Sequence, residues 1–226
     1  MLKFAWAIAL AALLLLALRL TLLDPRTQTS SCAQLELTFE SEDFKEALPD
    51  DPVLIIGNQR VRYWNARVTS QKVASVVQRS STGLNPDRIN QCFTRVVGFY
   101  QPSLVIIPVD TAFAVSADES KLLEALQGII DQRSEYSLDF ELWVIAPITS
   151  PRYALTDGAK LGALRMHGAE WASNKVNVLW LDLQNNFSTQ SEGADSKLFW
   201  PDGNTLNEAG YQRLTDALIT ISNRRK

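Results

Sequence analysis

The sequence predicts an α/β domain of three layers, with a five-stranded parallel sheet between helices, and three observations carry that prediction. Five short apolar runs, at 53–56, 73–77, 104–107, 142–146 and 176–181, are near-continuous rather than alternating, as strands covered on both faces are. Stretches of helical character separate or follow them, at 61–71, 87–100, 117–133, 155–173 and 207–221. Leu122, Ala125, Leu126 and Ile129 recur at the i, i+3, i+4, i+7 spacing of a helix with one buried face. The length, 226 residues, suits one sizeable core and one domain. Strands alternating with helices imply a parallel sheet with right-handed crossovers, and such sheets bind ligands at the carboxyl ends of their strands.

Taken in order, residues 4–23 are apolar except for Arg19 and Thr21. At about 1.5 Å per residue they are long enough to cross a hydrocarbon core of about 30 Å, and Arg19 lies where its side chain can snorkel to the interface. Taking 4–18 alone as the apolar run gives a cleaved signal-peptide length instead. No small-residue cleavage site follows it, however: Leu20-Thr21-Leu22-Leu23 is bulky. An uncleaved single-pass anchor over 1–23 is therefore expected. Lys3 on one side and Arg19 and Arg26 on the other nearly balance the positive-inside rule; the short head before the anchor places residues 24 onward outside the cytoplasm, on the periplasmic side of an inner membrane. Residues 24–51 read as a linker and an irregular arm, with 35–39 a short edge element, and 52–226 as the folded domain. Cys32 and Cys92 suit either redox compartment. Paired, they would close a loop worth roughly 4 kcal/mol on the chain-entropy estimate; unpaired, they are two unrelated thiols.

Charge excludes one class of partner. The formal net charge is −3 and basic residues are scattered, so no footprint for nucleic acid is present. Neither a metal nor a cofactor is expected.

The positions to interrogate follow each strand: Gly57-Asn58-Gln59, residues 78–83, 108–112 and 147–152, and the turn near 201–205. Here the chain resembles the SGNH (GDSL-type) hydrolase superfamily, over most of 52–220. In that family the first strand runs into Gly-Asp-Ser, and in one esterase-like subgroup an aromatic-Trp pair ends five residues on; this chain has Gly57-Asn58-Gln59, then Arg62-Tyr63-Trp64. The second block keeps Arg79 and Gly83. The third, normally Gly-x-Asn-Asp, reads Pro108-Val109-Asp110-Thr111-Ala112. Pro147-Ile148-Thr149-Ser150-Pro151-Arg152 is similar to the subgroup's Pro-Ser-Pro-x-Arg loop. The last block, usually Asp-Gly-x-His-Leu-Asn-x-x-Gly-Tyr, reads Asp202-Gly203-Asn204-Thr205-Leu206-Asn207-Glu208-Ala209-Gly210-Tyr211. The resemblance implies the flavodoxin-like SGNH fold.

It also implies a site, and this chain departs from it. A Ser nucleophile, a His base oriented by an Asp, and a Gly and an Asn holding the oxyanion would fall on Gln59, Thr205, Asp202, Gly83 and Thr111 respectively, with Asn58 beside the nucleophile. An amide nitrogen is delocalised and attacks no carbonyl, and a threonine hydroxyl has no pKa suited to a base. Either loss typically costs about 10⁴ to 10⁶ in rate. No catalytic residues are therefore expected.

The alternative is an ester hydrolase or acyl-transfer enzyme with a relocated nucleophile, Ser80 or Ser81. The only histidine, His167, falls in mid-helix and is expected at a surface. Thr205 with Glu208 matches a capping box for the last helix. Tyr63 and Trp64 read as core residues. The ligand-binding candidates are Asn58, Gln59, Arg79, Gly83, Asp110 and Arg152, the two arginines also being expected to pair structurally with Asp110 or Asp202. The reading is a membrane-anchored SGNH-like binding or scaffolding domain, its partner an envelope polysaccharide, a lipid-linked substrate or another protein.

Overall fold

A computed structural model describes residues 31–64, 75–189 and 193–225. The expected anchor over 1–23 lies outside them, and among the described residues no helix is long and apolar enough to cross a membrane.

The elements in chain order are α1 (Cys32–Asp43), β1 (Val53–Gly57), α2 (Gln59–Arg62), β2 (Val76–Ser80), α3 (Pro86–Gln91), α4 (Phe93–Val96), β3 (Leu104–Pro108), α5 (Thr111–Ser116), α6 (Glu119–Glu135), β4 (Glu141–Ile145), α7 (Ala154–Ser173), β5 (Val178–Leu181) and α8 (Glu208–Arg225). All strand pairings are parallel, in the order β2-β1-β3-β4-β5. The chain reverses its direction of travel across the sheet between β1 and β3, which is the switch point where ligands sit in such sheets.

Alternate residues of each strand feed two cores. Leu54, Ile56, Val105, Ile107, Leu142 and Val144 pack with α1, α3, α4, α6 and α7. Ile55, Ile106, Trp143, Ile145 and Leu181 pack on the opposite face, against α8 and the Val61 and Trp64 side chains. The three-layer expectation holds, with the second face covered mainly by one long helix.

Several element boundaries differ from the sequence-based expectation. Residues 35–39 are helical, not an edge element. Ser31 caps α1 in a reciprocal box, its hydroxyl accepting from the Gln34 amide at 3.2 Å while the Gln34 side chain accepts from the Ser31 amide at 3.0 Å. Leu35 and Phe39, one helical turn apart, are both buried. Their spacing of four satisfies helix and strand periods alike, and the cap decides between them. The expected helix over 87–100 is broken into α3, α4 and a 3-10 turn, because Cys92 leaves helical geometry at φ −106°. That cysteine is bonded to Cys32, with Cα atoms 5.4 Å apart, so the thiols whose pairing the sequence left open are joined. β2 begins three residues later than the run at 73–77. α2 has four residues, and most of the expected helix at 61–71 lies outside the described residues.

Candidate functional site at the carboxyl ends of the strands

β1 delivers the chain into a tight strand-to-helix turn. A Cβ on Gly57 would come within 2.9 Å of Val61 Cγ2, so glycine permits the close return of α2 over the strand end. Asn58 caps α2: its side-chain oxygen accepts from the Arg60 amide at 3.3 Å, and its Nδ2 donates to Asn85 Oδ1 at 2.9 Å. Gln59 is the first residue of α2 and is exposed.

Arg60 turns inward instead. It is 5% exposed, and its Nη2 donates to Thr111 Oγ1 at 2.9 Å. Thr111 is fully buried and its own hydroxyl donates a hydrogen bond to the Ile148 carbonyl at 2.8 Å. Asp110 caps α5 by accepting from the Phe113 amide at 3.1 Å. One threonine hydroxyl therefore bridges the ends of three strand-end segments. Thr111→Val removes both bonds and strands a buried guanidinium nitrogen and a buried carbonyl; an unfolding free energy lower by about 1–3 kcal/mol is expected in urea titration.

The turn before α8 closes the other side. Asp202 accepts from the backbone amides of Asn204 and Thr205, each at 2.9 Å, and from the Thr205 hydroxyl. Burial pushes this carboxyl up, but those three hydrogen bonds and the Arg152 charge outweigh it and hold it below the usual carboxylate range. Gly203 adopts φ +67°, the left-handed region, and its carbonyl accepts from the Arg152 amide at 3.0 Å. Ser150 Oγ reaches Asn204 Oδ1 at 3.3 Å, tying the loop after β4 to this turn. Thr205 does not cap the last helix as expected. Asn207 does, its Oδ1 accepting from the Gly210 amide at 3.0 Å, because the Thr205 hydroxyl is committed to Asp202.

Tyr211 lies on α8, and its hydroxyl is buried with no hydrogen-bond partner among the described residues. Burial raises its pKa far above the ordinary value; the Arg60 charge opposes that, and Asp110, Tyr63 and Asp202 add to it. Arg60, Asp110 and Asp202, which neighbour Gln59, Thr111 and Thr205 or bond to them, are thus near enough to act electrostatically on this phenol.

Other candidates stand apart. Arg79 does not face the strand ends: it is 3% exposed and its Nε donates to Asp43 Oδ1 at 3.0 Å, a partner on α1 rather than the expected Asp110 or Asp202. Strand alternation turns it away from Gln78, whose amide instead holds the Val61 and Trp64 carbonyls. Arg152 is exposed, with its guanidinium 5.8 Å over the Tyr153 ring, and it is near enough to Asp202 to lower that carboxyl's pKa. Gly83 adopts φ +73° in the loop after β2, and the Ser81 amide donates to the Gly57 carbonyl at 3.2 Å, which sets this loop beside the β1 turn. His167 is exposed on α7, its Nδ1 2.6 Å from Glu119 Oε1 on α6. Trp64 is buried as expected, donating to Thr215 at 2.9 Å, but Tyr63 is 55% exposed rather than core.

Sequence reasoning passed over Arg60 and Tyr211. Tyr211 was legible as the Tyr of the last block. Nothing in the sequence around Arg60 says that it turns inward.

No protein-family model matches the chain, and no curated protein matches it in sequence. Solved structures do. A GDSL-like lipase from Bacteroides thetaiotaomicron superposes with a TM-score of 0.68 at 14% identity, covering 84% of this chain and 98% of that one. A lipase/acylhydrolase from Enterococcus faecalis gives 0.63 at 13%, covering 77% and 96%. An acetylxylan esterase from Geobacillus stearothermophilus, solved as a catalytic mutant, gives 0.61 at 11%, covering 77% and 95%. At such identities the likeness is one of fold: a five-stranded parallel α/β architecture of SGNH type.

Proposed function

We propose that this chain, starting from an SGNH-type fold, is a binding or scaffolding domain of the cell envelope in which the ester-hydrolysing chemistry of that fold is absent. One observation carries the reading: the state of the groups at Gln59, Thr111 and Thr205. The Thr205 hydroxyl is bound to Asp202 where a base would have to collect a proton. The Thr111 hydroxyl, where an oxyanion donor would stand, already donates its one O–H to the Ile148 carbonyl. Gln59 supplies an amide in place of a nucleophile.

Two features support the setting. The apolar run at 4–23 has the length of a membrane anchor. The Cys32–Cys92 disulfide suits an oxidising compartment such as the periplasm. A polysaccharide is the ligand class we favour over a lipid-linked substrate or a protein, and an acetylxylan esterase among the structural neighbours supports that choice.

A relocated nucleophile is the second reading, favoured only by the Ser81 amide lying on Gly57. It would need a base other than histidine, since the chain's single histidine sits on the α7 flank with Glu119. The full chain in detergent, offered p-nitrophenyl acetate and a fluorophosphonate serine probe, is expected to hydrolyse no faster than buffer and to take no label. That is about 10⁴-fold or more below a complete triad. Labelling at Ser80 or Ser81 that a serine-to-alanine change abolishes would establish the enzyme instead.

A further inference from the structure

Beside the strand-end turns a cleft of about 260 Å³ opens between the end of α2, the turn at Trp200 and the first turns of α8. Tyr63 and Trp200, 55% and 56% exposed, form its walls, with Trp64 and Leu206 beneath them. Two large aromatic rings held that far out in water across one concave surface are a loss unless something covers them. Both are fixed to the strand-end site. The Tyr63 amide donates to the Gln59 carbonyl at 3.2 Å, and the Trp200 amide to the Thr205 carbonyl at 2.8 Å. Tyr211, 6% exposed, also lines the cleft and carries the hydroxyl that has no partner among the described residues.

We infer that this cleft is a binding subsite for a neutral pyranose ring, an assignment that rests on the reading of the chain as a polysaccharide-binding domain and names where the sugar sits.

The chemistry selects among occupants. The axial C–H groups of a pyranose form an apolar, weakly positive face that stacks on the negative faces of Tyr and Trp rings. Its equatorial hydroxyls need donors and acceptors, and Glu208 and Gln212 among the lining residues supply them. Among the described residues no Lys or Arg lines the cleft, so there a phosphate, sulfate or uronate would meet the Glu208 carboxylate with no countercharge from them. An acyl chain would want a wholly apolar lining; this one includes Glu208 and Gln212. It is also at the small end of ligand pockets, which run from about 300 Å³ upward, a size for one ring rather than a long tail.

The test titrates the full chain in detergent with xylohexaose, with the hexamer of N-acetylglucosamine, with trigalacturonate and with decanoate, following tryptophan fluorescence and calorimetry. At least one neutral hexamer is expected to bind while trigalacturonate and decanoate do not. Trp200→Ala and Tyr63→Ala are each expected to weaken that binding about tenfold, as loss of one stacking ring does, while Trp200→Phe retains most of it. Both side chains are more than half exposed, and an unchanged melting temperature will show that the variants fold. Failure of both neutral hexamers to bind, binding that survives Trp200→Ala, or decanoate occupying the cleft in their place overturns the assignment. None of these outcomes touches the hydrolysis result; conversely, serine labelling with the sugar binding intact would remove only the inactive reading.

Discussion

Replacing Cys32 and Cys92 with serine is expected to lower the unfolding free energy by about 4 kcal/mol. The bond joins residues 60 apart, and a cross-link of that span removes loop-closure freedom from the unfolded chain worth about that much on the chain-entropy estimate. A native reserve of about 5–15 kcal/mol makes this a large fraction. Urea denaturation with and without a reductant checks it: the midpoint should fall on reduction of the natural chain and not move for the serine variant. The bond does more than close a loop. It pins the start of α1 where the helical run at 86–96 breaks, and so places Leu35 and Phe39 in the core. A chain with free thiols should show faster amide exchange over α1 than over β1 and β3.

Asp43→Ala is the second large expected effect, about 3 kcal/mol in the same titration. Asp43 ends α1 and accepts from Arg79 and from Arg95, the latter at 2.6 Å, with the Tyr100 hydroxyl 3.1 Å away. The side chains of Arg79 and Asp43 are 4% and 9% exposed. Removing the carboxylate leaves two guanidinium groups inside the protein, and breaking a buried pair in this way costs about 3–5 kcal/mol. Glu42, 3.7 Å from Arg79 Nε, remains as a weaker partner and sets the effect at the low end.

The pH dependence follows from the direction of one shift. Burial raises the Asp43 carboxyl, but hydrogen bonds from Arg79 and Arg95, the Arg79 charge and the Tyr100 hydroxyl together bring it below its ordinary value. A depressed folded-state pKa contributes stability that is present above the unfolded value, near 3.9, and is lost as pH falls through the folded one. The gap between the natural chain and Asp43→Ala should therefore be constant from pH 7 to about 5 and close below about pH 4. The cysteine and Asp43 changes act on the same helix, so their combination should cost less than the sum: once α1 has undocked, there is little left to lose.

The strand ends were legible because their signals are local. An apolar run ending in Gly57, and another ending in Pro108, mark where a parallel strand stops, and the residues after them fall on one edge of the sheet by topology alone. Gln59, Thr111 and Thr205 were named on that edge by the resemblance, which matches its blocks to these strand ends. Arg79 could not be placed, because its partner lies 36 residues away on a helix whose apolar spacing fits two periods. Arg60 and Tyr63 are the opposite pair: the arginine is buried and the tyrosine exposed, against the ordinary preference of each type. Such inversions arise where a buried polar partner, here Thr111, repays desolvation, and one segment in isolation contains no trace of that partner.

By itself, the sequence determined the layer order, the parallel sheet, the edge on which any site must lie, and the absence of a serine and a histidine at the two positions where the resemblance puts nucleophile and base. These depend on periodicity and on residue identity, which are properties of short segments. Only the tertiary structure decided that Cys32 meets Cys92, that Asp43 neutralises Arg79 and Arg95, and that Thr111 is held between Arg60 and Ile148. It also decided that Tyr63 and Trp200, 137 positions apart in number, face one cleft. Those are pairings between distant segments, and they exist only once folding has brought the segments together at hydrogen-bonding or van der Waals range.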